Sequence, residues 1–281
     1  MNKIYALSAS NNIRSIIGDT RNLDVHSSFQ NGLNLIGKNG LVFIGTRKNG
    51  ELPFGIHLKD EDVYDIINNN KLKGIIWDRE ESSFIAEEFV IDLSKSRVYD
   101  SHLNIVEDSN IKNSIKYLKD TLLSVTDNTG FDESIDSLIS NNKFIIGIQE
   151  NLNSNSTKQI DASLRKLIGR GRGLTPSGDD FLIGLLWVNS ISAIIGKDFY
   201  TSLMTLAIDE NLTTDISINY YKEAFKGNFS SPLINLYNSL IYCDEIKINF
   251  CIEEIINCGH TSGIDTLAGI VFGLKYLIGG N

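Results

Sequence analysis

Hydrophobic positions change their period part-way along this chain. Over the first hundred residues they form short β-branched and aromatic runs, LVFIG (41–45), LPFGIHL (52–58) and KGIIWD (73–78), and the alternating stretch FIAEEFVIDL (84–93). Gly, Asn and charged residues separate these runs, which is the pattern of strands between turns. Asn39-Gly40 and Asn49-Gly50 are strong turn dipeptides, and the segment between them has hairpin length. One helix with an acidic first turn, about 60–69, interrupts the series. From about residue 108 the spacing becomes helical: Ile111, Ile115, Leu118 and Leu122 share one face of a helix from Asn110 to Val125. Further helical text runs at about 131–142, 156–168, 179–196, 199–210, 215–226, 231–242, 248–257 and 264–278. Pro176 and Pro232 each stand just before an apolar periodic run, where helices begin. The fold class is therefore α+β. A β-rich, barrel- or sandwich-like N-terminal domain (1–105) is followed by a mostly helical domain (106–281).

Composition narrows the class without naming a chemistry. The 281 residues are 42% apolar and 22% charged, which excludes a disordered or fibrous chain. With 26 basic against 35 acidic residues the net charge is −9, a poor match for nucleic acid or an anionic membrane surface. Cys243, Cys251 and Cys258 cannot all pair, and their spacing fits neither zinc nor a disulfide scaffold. They read as buried thiols in a reducing compartment. The start, MNKIYALSAS, lacks a signal-peptide core, and the apolar run 181–196 is short for a span of about 20 residues. The expected location is cytoplasmic.

The densest chemical signal is the segment Arg165-Lys166-Leu-Ile-Gly169-Arg170-Gly171-Arg172-Gly173-Leu174-Thr175-Pro176-Ser177-Gly178-Asp179-Asp180, leading straight into FLIGLLWV. Alternating glycines let a backbone bend and approach a ligand, and the helix start behind them offers N–H groups and partial positive charge to an anion. Asp179 and Asp180 complicate a simple anion site. They could hold Mg²⁺, the one cofactor the sequence brings into question, orient a substrate amine, or complement the helix dipole. Against a binding role, Ser177-x-x-Asp180 is a capping box, and Arg165 and Lys166 suit the last turn of the preceding helix.

A second segment, Cys258-Gly259-His260-Thr261-Ser262-Gly263-Ile264-Asp265, repeats the first. Ser177-Gly178-x-Asp180-x-Leu182-x-Gly184 matches Ser262-Gly263-x-Asp265-x-Leu267-x-Gly269 at identical spacing, 85 residues apart. If two such helices cross at their glycines, both starts face one cleft; two unrelated capping boxes are the plain alternative. His260 sits in a polar loop, where an imidazole can serve as acid, base or anion donor. Thr213, Thr214 and Ser217 could line a polar pocket or cap the helix that follows. In the N-terminal domain, His26 and Ser27 read as a half-exposed strand face, and His57 and His102 as solvated. No nucleophile elbow, P-loop, zinc signature or dinucleotide fingerprint is present.

GRGLTPSGDD (171–180), TTDIS (213–217), GHTSGIDTLAG (259–269) and, more weakly, VHSSF (25–29) together resemble the family of AllH, a subunit of bacterial oxamate carbamoyltransferase. The resemblance runs from about residue 20 onward. Arg172 stands where that family often has a small residue or proline. The resemblance implies an enzyme of purine (allantoin) nitrogen catabolism that exchanges a carbamoyl group between oxalurate and phosphate, giving oxamate and carbamoyl phosphate. It also implies FdrA-like and AllG-like partner subunits. On that implication the anion-binding residues are Arg170, Gly171, Arg172, Gly173, Thr175, Ser177, Gly178, Thr213, Thr214, Ser217, Thr261, Ser262, Gly263 and Asp265, with His26 and Ser27. His260 would be the proton donor, and Asp179 or Asp180 would orient the carbamoyl NH₂. Two other classes stay open: a non-catalytic subunit that binds an anion or nucleotide, and a Mg²⁺-dependent phosphotransfer or hydrolase site on Asp179 and Asp180.

Overall fold

The β-branched runs of the first hundred residues pair into two mixed sheets. The structure is a computed structural model that describes residues 2–69, 74–106 and 111–279. Lys73 and Asn110, the first residues of two expected elements, lie outside the described residues. The chain divides after Ser101 into two units. In the first, β1 (Asn2–Tyr5), β2 (Ser8–Ser10), β3 (Asn22–Leu23), β4 (Val25–Phe29), β5 (Gly32–Ile36), β6 (Leu41–Gly45), β7 (Gly55–His57), β8 (Ile75–Asp78), β9 (Ser83–Ile85), β10 (Phe89–Asp92) and β11 (Arg97–Tyr99) accompany helices α1 (Ile13–Ile17) and α2 (Asp60–Asn69). The sheets run β1-β10-β9-β8-β3 and β11-β2-β7-β6-β5-β4.

Asn39-Gly40 closes the expected hairpin: Ile36 faces Leu41 across β5 and β6, and the Gly37 N–H donates to the Gly40 carbonyl (2.9 Å). Asn49-Gly50 closes none, because β6 and β7 run parallel, with Ile44 opposite Ile56. The connection is pinned by His57, which was expected to be solvated and is buried. Its Nδ1–H donates to the Thr46 carbonyl (3.0 Å) and its Nε2 accepts the Leu52 N–H (3.0 Å). Burial lowers the pKa of this ring, so the neutral tautomer fixed by those two bonds is the stable one. The stretch 84–93 is likewise two strands, β9 and β10, turned back on each other where Glu87 and Glu88 reach solvent.

The second unit holds α3 (Ile111–Leu123), α4 (Ile135–Asn141), α5 (Lys143–Asn151), α6 (Thr157–Leu167), α7 (Ser177–Ile191), α8 (Lys197–Asp209), α9 (Asp215–Ala224), α10 (Ser231–Ile241), α11 (Glu245–Ile256) and α12 (Ser262–Gly279). Helix α5 was not expected. Extended backbone at Asn142 ends α4, and the Asn142 side chain accepts the Phe144 N–H (3.0 Å) to start a new helix. Of the three thiols only Cys251 is buried; Cys258 is half-buried, and Cys243 is exposed because it follows the end of α10 in a left-handed turn (φ 52°).

Helix α7 is buried all round from Ser177 to Val188, the pattern of a central helix. Its main neighbour is α12, and the two cross backbone to backbone. A methyl added at Gly184 would overlap the Thr266 carbonyl and touch the Ile270 N–H; one added at Gly269 would overlap the Phe181 carbonyl and touch the Leu185 N–H. These contacts are reciprocal under the same 85-residue offset as the sequence repeat. The Phe181 and Phe272 rings pack beside the crossing, 5.4 Å apart. Gly269→Ala should therefore lower unfolding stability by about 3 kcal/mol in urea melts. Gly147→Ala in α5, where a methyl would meet only the Ser163 Cβ at 3.7 Å, should be neutral or stabilising by about 1 kcal/mol.

Candidate functional site

Each of the two crossing helices starts on a glycine pressed against the end of the helix before it. Gly178 lies on the Leu167 carbonyl at the end of α6, and Gly263 lies on the Ile255 carbonyl at the end of α11. Neither start is the capping box that the sequence suggested for Ser177. Pro176 is the N-cap of α7 and Ser177 makes no cap bond. The crossing takes the hydroxyls elsewhere: Ser177 sits beside Asp265 of α12, and Ser262 beside Asp180 of α7. Thr175 Oγ1 lies 3.0 Å from Ser262 Oγ on the Asp180 side. On the other side Gly130 donates its N–H to Asp265 Oδ1 (2.8 Å). A side chain at Gly130 would collide with Ser177 Oγ and lie 2.9 Å from both Asp265 Oδ2 and Thr261 Oγ1.

Both carboxyls are costly where they stand. Burial holds Asp180 well above the usual carboxylate range; the hydroxyls of Ser262 and Thr175 pull it down, while the charges of Asp265 and Asp179 push it further up. Burial also raises Asp265, against the Gly130 N–H and the hydroxyls of Ser177 and Thr261. Asp180 Oδ2 and Asp265 Oδ2 are buried and have no hydrogen-bond partner among the described residues. Native proteins pair nearly all such atoms, which makes these two unusual.

Asp179 has a different task. It accepts the Gly169 N–H (2.9 Å) and the Tyr221 hydroxyl (3.0 Å) on Oδ1 and the Thr213 hydroxyl on Oδ2. It is 1% exposed, and burial raises its pKa against those bonds. Asp179 thus ties the glycine loop to the start of α9, while Asp180 faces the crossing. Mg²⁺ held between this neighbouring pair does not fit that division. Among the described residues no group of three or more His, Cys, Asp or Glu side chains is placed to hold a metal ion.

The loop itself is built as its glycines imply, with Gly169, Gly171 and Gly173 at φ of 70°, 121° and 96°. The Gly178 N–H donates to the Arg170 carbonyl (2.8 Å), and those of Asp179 and Asp180 to the Pro176 carbonyl (2.8 and 3.1 Å). The start of α7 therefore offers fewer free donors than its sequence suggested. The Arg170 guanidinium stacks on the Phe144 ring, 3.5 Å from its centroid, and Arg172 is exposed. Thr214 donates to the Leu174 carbonyl (2.5 Å) and accepts the Ser217 N–H (3.1 Å) as the N-cap of α9. The structure thus gathers Arg170, Thr175, Ser177, Gly178, Asp179, Asp180, Thr213, Thr214, Ser217, Thr261, Ser262, Gly263 and Asp265 around the starts of α7, α9 and α12.

His260 is exposed in the turn beside Gly259, and among the described residues no hydrogen bond joins it to either aspartate. His26 and Ser27 belong to the first unit, on β4, where His26 Nδ1 lies 2.9 Å from Ser27 Oγ and Asn34 Nδ2 donates to that hydroxyl (3.1 Å). Burial pushes the Cys258 thiol up to about 11, which keeps it protonated near neutral pH. Gly130 and Tyr221 were missed. Gly130 stands in polar turn text, DNTGFDE, with nothing to tie it to a helix more than a hundred residues on; Tyr221 reads simply as an apolar helix position.

A family model described as oxamate carbamoyltransferase subunit AllH matches residues 167–274, from the end of α6 into α12, and one described as the AllH family N-terminal domain matches residues 5–102. The chain belongs to the AllH family. No solved structure matches it. Both helix-start loops fall inside the first match, whereas Gly130 lies in neither. Among the described residues no helix is long and apolar enough to cross a membrane.

The raised carboxyls set the sign of a pH dependence. A carboxyl with a native pKa above its unfolded value of about 4 stabilises the fold at low pH and loses that contribution as pH rises through the native value. Relative to Asp265→Asn, the wild-type chain should lose stability as pH rises above about 4, by up to about 1.4 kcal/mol per pH unit, until Asp265 is ionised in both states. Urea melts of both proteins across that range measure the difference; an unshifted Asp265 would leave it constant.

Proposed function

We propose that this chain is the substrate-holding subunit of a carbamoyltransferase of the oxamate carbamoyltransferase type, acting in the cytoplasm in purine (allantoin) nitrogen catabolism. The observation that supports this most is the reciprocal seating of Ser177 beside Asp265 and Ser262 beside Asp180. It joins the two loops inside the matched region at one buried place, with Arg170 and Arg172 on the glycine loop leading to it. In phosphorolysis of oxalurate, a phosphate oxygen attacks the ureido carbonyl carbon. The bond from that carbon to the oxamate nitrogen then breaks, and the nitrogen takes a proton. The chemistry needs a place for anionic groups and acceptors for the carbamoyl N–H hydrogens. The arginines serve the first need and the unpartnered aspartate oxygens the second. His260 remains the proposed proton donor, from an exposed loop.

FdrA-like and AllG-like subunits would complete the enzyme. The second reading, a non-catalytic subunit that holds an anion or nucleotide for a catalytic partner, is favoured by one observation: the Gly178, Asp179 and Asp180 N–H groups are already bonded to loop carbonyls. On that reading the oxyanion donors come from the partner.

Co-expression with the two partner subunits and an assay of carbamoyl phosphate made from oxalurate and phosphate tests the proposal. The expected outcome is a stable complex that turns over, with kcat/KM falling about 10²-fold in Arg170→Ala. A complex that forms and turns over equally well with Arg170→Ala and His260→Ala would remove this chain from the chemistry and leave the binding role.

A further inference from the structure

Helix α11 is apolar on two faces. Ile248, Cys251, Ile252 and Ile255 are buried where it packs on α3, α10 and α12. On its outer face Ile246 is 83% exposed and Phe250, one turn on, is 59% exposed. Tyr242, four residues before Ile246 in the turn from α10, is 76% exposed. A surface helix ordinarily turns charge outward, and large apolar groups clustered on a surface are the sign of a contact with another molecule. The free charge around them is of one sign. Glu253 and Glu254 follow Phe250 by one turn and are exposed, as is Glu245, whereas the helix's single cation, Lys247, is tied to Asp244 (3.1 Å).

The first unit carries the counterpart. Val98, on the edge strand β11 of the six-stranded sheet, is 66% exposed. The Arg97 N–H donates to the Leu7 carbonyl (3.1 Å), which brings exposed Leu7 alongside that strand, with exposed Tyr5 two residues before it. The Lys3 and Lys95 ammonium groups reach over the Tyr5 ring, 5.3 and 5.2 Å from its centroid. Lys3 and Arg97 pair with Asp92 and Glu51, whose side chains are nearly buried, so the cations are what this surface shows to solvent.

We infer that these two surfaces meet between copies of this chain, with α11 of one copy seated on β11 and the Tyr5–Leu7 segment of the next. Three large apolar groups then cover three others, and the glutamates of α11 face Lys3, Lys95 and Arg97. Two α11 faces paired about a two-fold axis would instead bring the glutamates of both copies into one contact with no free cation to meet them. The net charge of −9 opposes association at long range, but at physiological ionic strength that repulsion is screened beyond about 8 Å, whereas charges in contact are screened much less. A head-to-tail contact leaves one surface of each kind open at the ends, so the assembly grows until it closes into a ring. It concerns assembly alone and stands whatever the chemistry of the α7/α12 crossing.

Sedimentation of the full chain over a range of concentrations tests this, and the wild type should associate reversibly. Ile246→Ser combined with Phe250→Ser, and separately Lys95→Glu combined with Val98→Ser, should each raise the dissociation constant at least about 30-fold, the loss expected when interface anchors are removed. All four positions are exposed, so both variants should fold, with circular dichroism unchanged from the wild type. The deciding sample is the equimolar mixture of the two variants. Each keeps one intact surface, so the mixture should regain wild-type affinity and stop at a dimer, because the two surfaces left over are both damaged. A wild-type chain that stays monomeric overturns the inference, as does association that survives in both variants or a mixture that regains nothing. Association lost only in the α11 variant makes the contact symmetric and also overturns it. So does a monomeric chain that binds an FdrA-like or AllG-like subunit through Phe250, which gives the surface to a different partner.

Discussion

The close approach of α7 and α12 is the constraint on which the second unit depends. Helices packed through ordinary side chains keep their axes 8–10 Å apart. Here Gly184 and Gly269 remove the side chain from both helices at the crossing, so that backbone meets backbone. Only at that range can the first-turn serine of one helix sit beside the first-turn aspartate of the other. The apolar surroundings follow from the same geometry, because α7 is covered on every side from Ser177 to Val188. A looser pair would leave the carboxyls wet and each serine free to cap its own helix.

That enclosure has an electrostatic cost, met locally. Carboxyls buried in apolar surroundings resist ionisation, and a second one nearby makes it harder. Several features soften the effect. Each aspartate lies in the first turn of its helix, where the dipole favours negative charge. Hydroxyls flank both, and the Gly130 N–H serves Asp265. The oxygens still left without partners retain part of that cost.

Much of this was legible in the sequence for physical reasons. The change from short β-branched runs to helical spacing marked the α+β fold, because burial of one face imposes a period. The Ser-Gly-x-Asp repeat exposed the paired helix starts, since both copies meet the same steric demand at the same offset. Other features depend on distant residues and left no local mark. The capping box at Ser177 was good local chemistry, overridden when Asp265 came within reach. Parallel pairing of β6 and β7 depends on a buried His57 clasping its own connection, which no turn dipeptide announces. The split of 84–93 turns on Glu87 and Glu88, which extend an alternating pattern as readily as they break it. Gly130 is the clearest case. Its value lies in having no side chain where Ser177, Thr261 and Asp265 converge, and sequence around it carries no trace of that.

The distance along the chain between the two crossing helices matters during synthesis. Helix α7 has apolar residues on all faces, and its main cover, α12, begins 85 residues later. At 5–20 residues per second a ribosome takes roughly 4–17 s to make that interval. Throughout it the nascent chain carries a finished glycine loop above a helix that lacks its main partner. The arrangement that keeps the two carboxyls dry in the folded protein thus leaves an apolar helix without its main cover while the chain is being made.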